Sequence, residues 1–129
     1  MRTRHRQFMI HSIVLASLLT GSVGCSSEEK KPRTVDEEVQ REIGFHLEDQ
    51  EACFADYQKR KPGIFGDLTF RFEIARNGSV SKIEVREDRS NLHDKELRRC
   101  MIEGLKKIRF STRFDQPVVV DAYPFHFRK

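Results

Sequence analysis

The sequence predicts an α+β fold: αββαβ, with two helices packed on one face of a three-stranded antiparallel sheet in the order 2-1-3. Three patterns carry this expectation. Apolar residues recur at helical spacing in two separate stretches, Val35 to Lys59 and Leu92 to Ile108. Leu68-Thr69-Phe70-Arg71-Phe72-Glu73-Ile74 alternates strictly between apolar and polar side chains, as a strand with one buried face does. Asn77-Gly78 follows that strand, where a hairpin turn reverses the chain.

The first helix opens on Thr34-Val35-Asp36-Glu37, the pattern of a capping box, in which two side chains satisfy two orphan N–H groups. Val39, Ile43, Leu47 and Phe54 lie near one stripe, with Cys53 and Tyr57 beside it. Gly44 weakens the middle by up to ~1 kcal/mol relative to Ala, and Pro62-Gly63 ends the helix. A two-residue type I′ turn at Asn77-Gly78 pairs Arg76 with Ser79, Phe72 with Ile83 and Phe70 with Val85, the last two pairs apolar on one face. Val80 then falls on the other face, unless a bulge near Ser81 turns it inward. The second helix takes Asn91 or Asp94 as its cap and Leu97, Met101, Leu105 and Ile108 as its stripe, with Cys100 at the edge. Phe110 to Gln116 is connecting chain. Val118-Val119-Val120 starts a last strand that runs towards Phe127. Pro124 lacks an N–H and fits only an edge strand or a bulge, and a bulge there brings Val118, Val120, Phe125 and Phe127 to one face. Two striped helices on a one-sided sheet bury all the apolar faces together. A right-handed crossover through the second helix then sets the third strand beside the first, as an open edge.

The front of the chain has a different organisation. Arg2, Arg4 and Arg6 precede the apolar run Phe8 to Leu19, and Ser22-Val23-Gly24 leads to Cys25. Charged, apolar and small-residue regions in that order make a secretory signal peptide. The apolar run is shorter than the ~20 residues that a bilayer crossing needs. A cysteine directly after the small residues resembles a bacterial lipoprotein signal, whose thiol takes diacylglycerol and becomes the new N-terminus. The alternative is an ordinary signal peptide with Cys25 incidental, since Ser22 stands where such signals usually carry Leu. The expected organisation is therefore a signal over 1–24, an acylated N-terminus and flexible tether over 25–34, and one domain over 35–129. Removing 24 of the 129 residues leaves 105, enough for one small domain and its tether. Three of the 24 Lys+Arg leave with the signal, so 21 remain against 20 Asp+Glu. A nearly neutral chain lacks the basic excess of a nucleic-acid binder.

Gly66-Asp67-Leu68-Thr69-Phe70-Arg71-Phe72, then Asn77-Gly78-Ser79-Val80, then Leu105-Lys106-Lys107-Ile108-Arg109-Phe110 form an ordered set that resembles the C-terminal domain of TonB-like energy transducers. Cys53-Phe54, Arg99-Cys100 and the ending Tyr123-Pro124-Phe125-His126-Phe127 are similar to one branch, the C-terminal domain of the AgmX and PglI gliding-motility proteins. The resemblance covers about Val39 to Phe127. It implies the αββαβ arrangement and work by protein–protein contact in the periplasm, with a partner peptide added beside the last strand. Carried onto this sequence, the contact segment is Val118, Val119, Val120, Asp121, Ala122 and Tyr123. An open strand edge offers unpaired N–H and C=O groups to such a peptide on physical grounds alone. The other outcome is an edge blunted by Pro124 that binds nothing. The chain departs from energy transducers in having neither their membrane helix nor their Pro-rich spacer, so energy transduction is not implied.

Once Cys25 carries lipid, Cys53 and Cys100 remain as an even pair in an oxidising compartment and can close a disulfide. Free buried thiols and a reactive pair are the alternatives, the last disfavoured because no Cys-x-x-Cys spacing exists. His46 and Cys53 share a helical face but lack an orienting group and an oxyanion site. His93 and His126 show no metal-ligand spacing. Glu37-Glu38, Asp49 with Glu51, and Glu87-Asp88 read as solvated faces. No enzyme, metal or cofactor is expected. The expected partners are an envelope protein or peptide in a motility or transport complex, the membrane through the lipid, and a second copy by strand exchange. The expected location is the periplasmic side of the envelope, with Ser26 compatible with outer-membrane sorting. The alternative role is a structural lipoprotein touching cell wall or anionic head groups through Lys59-Arg60-Lys61 and Lys106-Lys107 at the helix ends.

Overall fold

The structure, a computed structural model, describes Gly24 and residues 33–129. The rest of the expected signal peptide, Cys25 and residues 26–32 of the tether lie outside the described residues. The elements are α1 (Val35–Phe45), α2 (Leu47–Arg60), β1 (Gly66–Ile74), β2 (Val80–Val85), a 3-10 turn over Glu87–Arg89, α3 (Lys95–Lys107) and β3 (Val118–Phe127). The three strands form one antiparallel sheet in the order β2-β1-β3, so the α+β architecture and its strand order are as the sequence predicts.

Thr34 starts α1 through a full capping box: the Glu37 N–H donates to Thr34 Oγ1 at 3.2 Å, and the Thr34 N–H donates to Glu37 Oε2 at 2.8 Å. The expected single helix from Val35 to Lys59 is instead two. His46 leaves the helical region at φ −113°, ψ 14°, and its N–H reaches back only three residues, to Ile43 C=O at 2.9 Å. The break shifts the phase of everything after it. α2 buries Gln50, Cys53 and Tyr57, while Leu47 is 41% exposed and Phe54 half-buried. α2 runs one residue further than expected, to Arg60, and Gly63 then turns the chain at φ +77°.

The hairpin also differs from the expected two-residue turn. The Gly78 N–H donates to Ala75 C=O and the Ala75 N–H to Ser79 C=O, both at 2.8 Å, and Gly78 alone in the loop has a positive φ, +84°. This is a three-residue loop, a type I turn closed by a left-handed glycine. Phe70 faces Val85 as expected, but a bulge at Lys82 (φ 51°) and Ile83 stands opposite Phe72. That bulge turns Val80 inward, so that Val80, Ile83 and Val85 all meet the core.

α3 starts at Lys95 rather than Leu92, because Asp94 is its cap and accepts from the Leu97 N–H at 2.9 Å. In β3 the bulge lies at Asp121 and Ala122, opposite Arg71, rather than at Pro124. Its effect is the one expected of a bulge, with Tyr123 added: Val118, Val120, Tyr123, Phe125 and Phe127 pack against the core. Val39 and Ile43 of α1, Cys53 and Tyr57 of α2, Leu97, Met101 and Leu105 of α3 and Leu68, Phe70, Phe72 and Ile74 of β1 fill it from both layers. Cys53 and Cys100 clip α2 to α3, with the sulfurs 1.97 Å and the Cα atoms 5.7 Å apart.

Candidate functional site: the open edge of the sheet

β1 is paired on both sides, so the sheet has one edge at β2 and one at β3. Which backbone groups β3 leaves open follows from its partner. The Thr69 N–H donates to Ser90 Oγ at 3.0 Å and the Thr69 C=O accepts from the Arg86 N–H at 2.8 Å, so both point away from β3. Asp67 does the same, donating to Asn91 Oδ1 at 2.7 Å and accepting from the Asn91 N–H at 3.0 Å. Ala75 donates to β2's side of the hairpin. Alternation along β1 then points the backbone of Glu73 away from β3 as well. The residues opposite Glu73, Thr69 and Asp67 are Val119, Pro124 and His126, and their backbone groups face outward on the open edge. Pro124, which has no N–H, thus sits where a donor is not needed by the sheet. Val120, opposite Phe72, turns its backbone inward to β1.

A helical wall stands beside this edge. Asp36, Val39, Gln40, Gly44 and Leu47 line one groove of about 580 Å³ against Val120, Ala122, Tyr123 and Pro124. Leu47, Gln50, Glu51 and Phe54 line a second against Tyr123 to Arg128. Leu47, Tyr123 and Pro124 belong to both, so the two run on as one channel along β3. The local sequence explains the shape. Gly44 carries no side chain, and a Cβ built there meets nothing within 4 Å, so the wall is lowest at the joint. The break at His46 then swings Leu47 out of the core and into the channel. The floor is aromatic: Phe54 stacks on Phe127 at 4.2 Å between centroids, and Tyr123 lies 5.2 Å from Phe125 and 6.4 Å from Phe72. Partial burial pushes the Tyr123 phenol above its ordinary pKa.

α1 is fixed in place from its other side. Glu38 and Glu42 are buried carboxylates, and Arg41 donates to both, at 2.8 Å in the case of Glu42. Ser111 Oγ donates to Glu42 Oε1 at 2.6 Å, Thr112 Oγ1 donates to Glu38, and Arg33 Nε lies 3.1 Å from Glu38 Oε2. Hydrogen bonding from Arg41, then from Thr112, holds the Glu38 carboxyl below its ordinary range.

The six residues expected to contact a partner therefore divide. Val119 is half exposed on the outer face, Val120 and Ala122 line the channel, Tyr123 is part of its floor, and Val118 packs against the core opposite Ile74. Asp121 serves the fold. Its carboxylate takes Arg86 at 2.8 Å and Arg71 at 3.5 Å, and its carbonyl takes Arg86 at 3.1 Å. Sequence reasoning missed the wall. Leu47 carried the signal of a core residue and Gly44 that of a helix weakener, and only the break at His46 gives each its place.

Of the five basic residues at the helix ends, all but Lys107 have an acidic partner among the described residues. Lys59 pairs with Asp56, Lys106 with Glu103, Lys61 with Asp94, and Arg60 with Asp94 and Glu96. Among the described residues no group of three or more His, Cys, Asp or Glu is placed to hold a metal ion, and no helix is long and apolar enough to cross a membrane. Comparison with family models, with curated proteins and with solved structures finds no match.

Proposed function

We propose that this chain is a non-enzymatic envelope lipoprotein, held by lipid on Cys25 and facing the periplasm, that binds an extended segment of a partner protein as a fourth strand. The observation that carries the reading is the outward backbone of Val119, Pro124 and His126 beside a channel walled by α1 and α2. Main-chain pairing supplies affinity in strand addition, and pockets for alternate side chains supply choice. The likeness of the sequence to TonB-like C-terminal domains of the AgmX/PglI branch supports the same binding mode and a place in a motility or transport complex.

Val119→Pro is the discriminating variant. It removes an N–H that faces the open edge, whereas proline at Val120 would break the β1 ladder. Crosslinking in intact cells, with captured proteins quantified by mass spectrometry, should show a partner on the unaltered chain and its loss on Val119→Pro, at equal protein level and unchanged melting temperature. A partner that stays on the variant rules out pairing at this edge.

A further inference from the structure

Resting on the strand-addition reading, we infer that the guest strand is basic: an extended peptide that sets one Lys or Arg against Asp36, an apolar side chain against Leu47 and a second Lys or Arg against Glu51. The channel along β3 meets these three wall residues in that order, from its α1 end to its α2 end. Both carboxylates are exposed, and neither makes a salt bridge among the described residues. The basic side chains at the α2 end are already engaged. Arg128 donates to Asp67 Oδ1 at 2.7 Å, and His126 Nδ1 lies 2.7 Å from the same oxygen. Arg33 and Arg41 at the α1 end are held by Glu38 and Glu42. The charge left facing a guest is therefore negative at both ends, with Gln40, Gly44 and Leu47 between.

The spacing fits a strand. Leu47 and Glu51 stand four residues apart in α2, about 6 Å along its axis at a helical rise of about 1.5 Å per residue. At about 3.3 Å per strand residue that interval is close to two positions. That even interval puts the side chains facing Leu47 and Glu51 on one face of an extended chain, the face that looks onto the helices, and a cation facing Asp36 shares that face at any further even step.

The probe is a labelled, end-blocked peptide Lys-Thr-Leu-Thr-Leu-Thr-Lys, whose palindromic order suits either chain direction, with Glu-Thr-Leu-Thr-Leu-Thr-Glu as its control. Fluorescence anisotropy with the full chain should show the lysine peptide binding about tenfold more tightly, an advantage that shrinks with added salt. Asp36→Asn with Glu51→Gln should abolish the advantage, and Leu47→Asp should weaken the glutamate peptide more than the lysine peptide. Equal affinities, a preference that survives the double variant, or no binding of either peptide overturns the inference. The outcomes separate it from the reading beneath it. If the peptides fail while cellular capture still depends on Val119, the edge reading stands without a basic guest. If the lysine peptide binds Val119→Pro unchanged, the charge preference stands without strand pairing.

Discussion

Asp94 ties the end of α2 to the start of α3 with one carboxylate. It caps α3 through the Leu97 N–H, takes both Nη atoms of Arg60 at 3.0 and 3.1 Å, and lies 3.3 Å from Lys61 Nζ. The Arg60 hydrogen bonds, then the Leu97 N–H, hold its carboxyl far below the ordinary range. The sign of the pH effect follows. The unfolded chain, with an Asp pKa of about 3.9, takes up the proton before the folded chain does. The stabilisation is complete above about pH 5 and drains away as the pH falls below about 4. Urea unfolding between pH 7 and pH 3 should show a steep loss in the unaltered chain and a shallower one in Asp94→Asn, which keeps a capping oxygen but not the charge. Asp94→Ala should in addition lose about 1 kcal/mol at pH 7 from the cap.

At the scale of elements, the β1–β2 hairpin rests on one glycine. Gly78 holds φ +84°, and a Cβ built there stands 2.2 Å from the Phe110 carbonyl oxygen, whose own N–H donates to Gly78 C=O at 2.9 Å. Gly78→Ala meets a left-handed backbone and a collision with main chain together, and should cost about 2–3 kcal/mol by denaturant unfolding. The same hairpin shows what was legible. Alternation in Leu68 to Ile74 and the Asn77-Gly78 pair located strand and turn, because both signals are local. They did not choose between a two-residue and a three-residue loop, which depends on the contact between Gly78 and Phe110, remote in sequence. The helical stripe found Val39, Ile43, Leu97, Met101 and Leu105, but it assumed one unbroken phase through His46 and so put Leu47 in the core. That the third strand is an open edge was legible from the strand order, but the segment Val118 to Tyr123 came from the family resemblance, and of Val119, Pro124 and His126, whose backbones face outward, it holds only Val119. The helical wall beside that edge was not legible, since it arises from an interruption that no cap or proline announces.

For the molecule as a whole, the Cys53–Cys100 bond closes a loop across a separation of 47 residues and joins α2 to α3, two of the three helices that pack on the core. In the chain-entropy account a loop of that length is worth about 4 kcal/mol. Cys100→Ser should lower the unfolding free energy by about 2–4 kcal/mol with the fold retained. Reduction of the unaltered chain should reproduce that loss, and a reductant should have no effect on the variant. Comparison of denaturation midpoints with and without reductant checks both.

Pro124 has one more bearing. An edge with an unbroken row of donors would let copies stack side by side without end, each new copy exposing the same template to the next. Here the middle of the row offers a carbonyl and no hydrogen, so a second sheet cannot zip along its full length. Fibre growth through this edge is thereby starved of its seam.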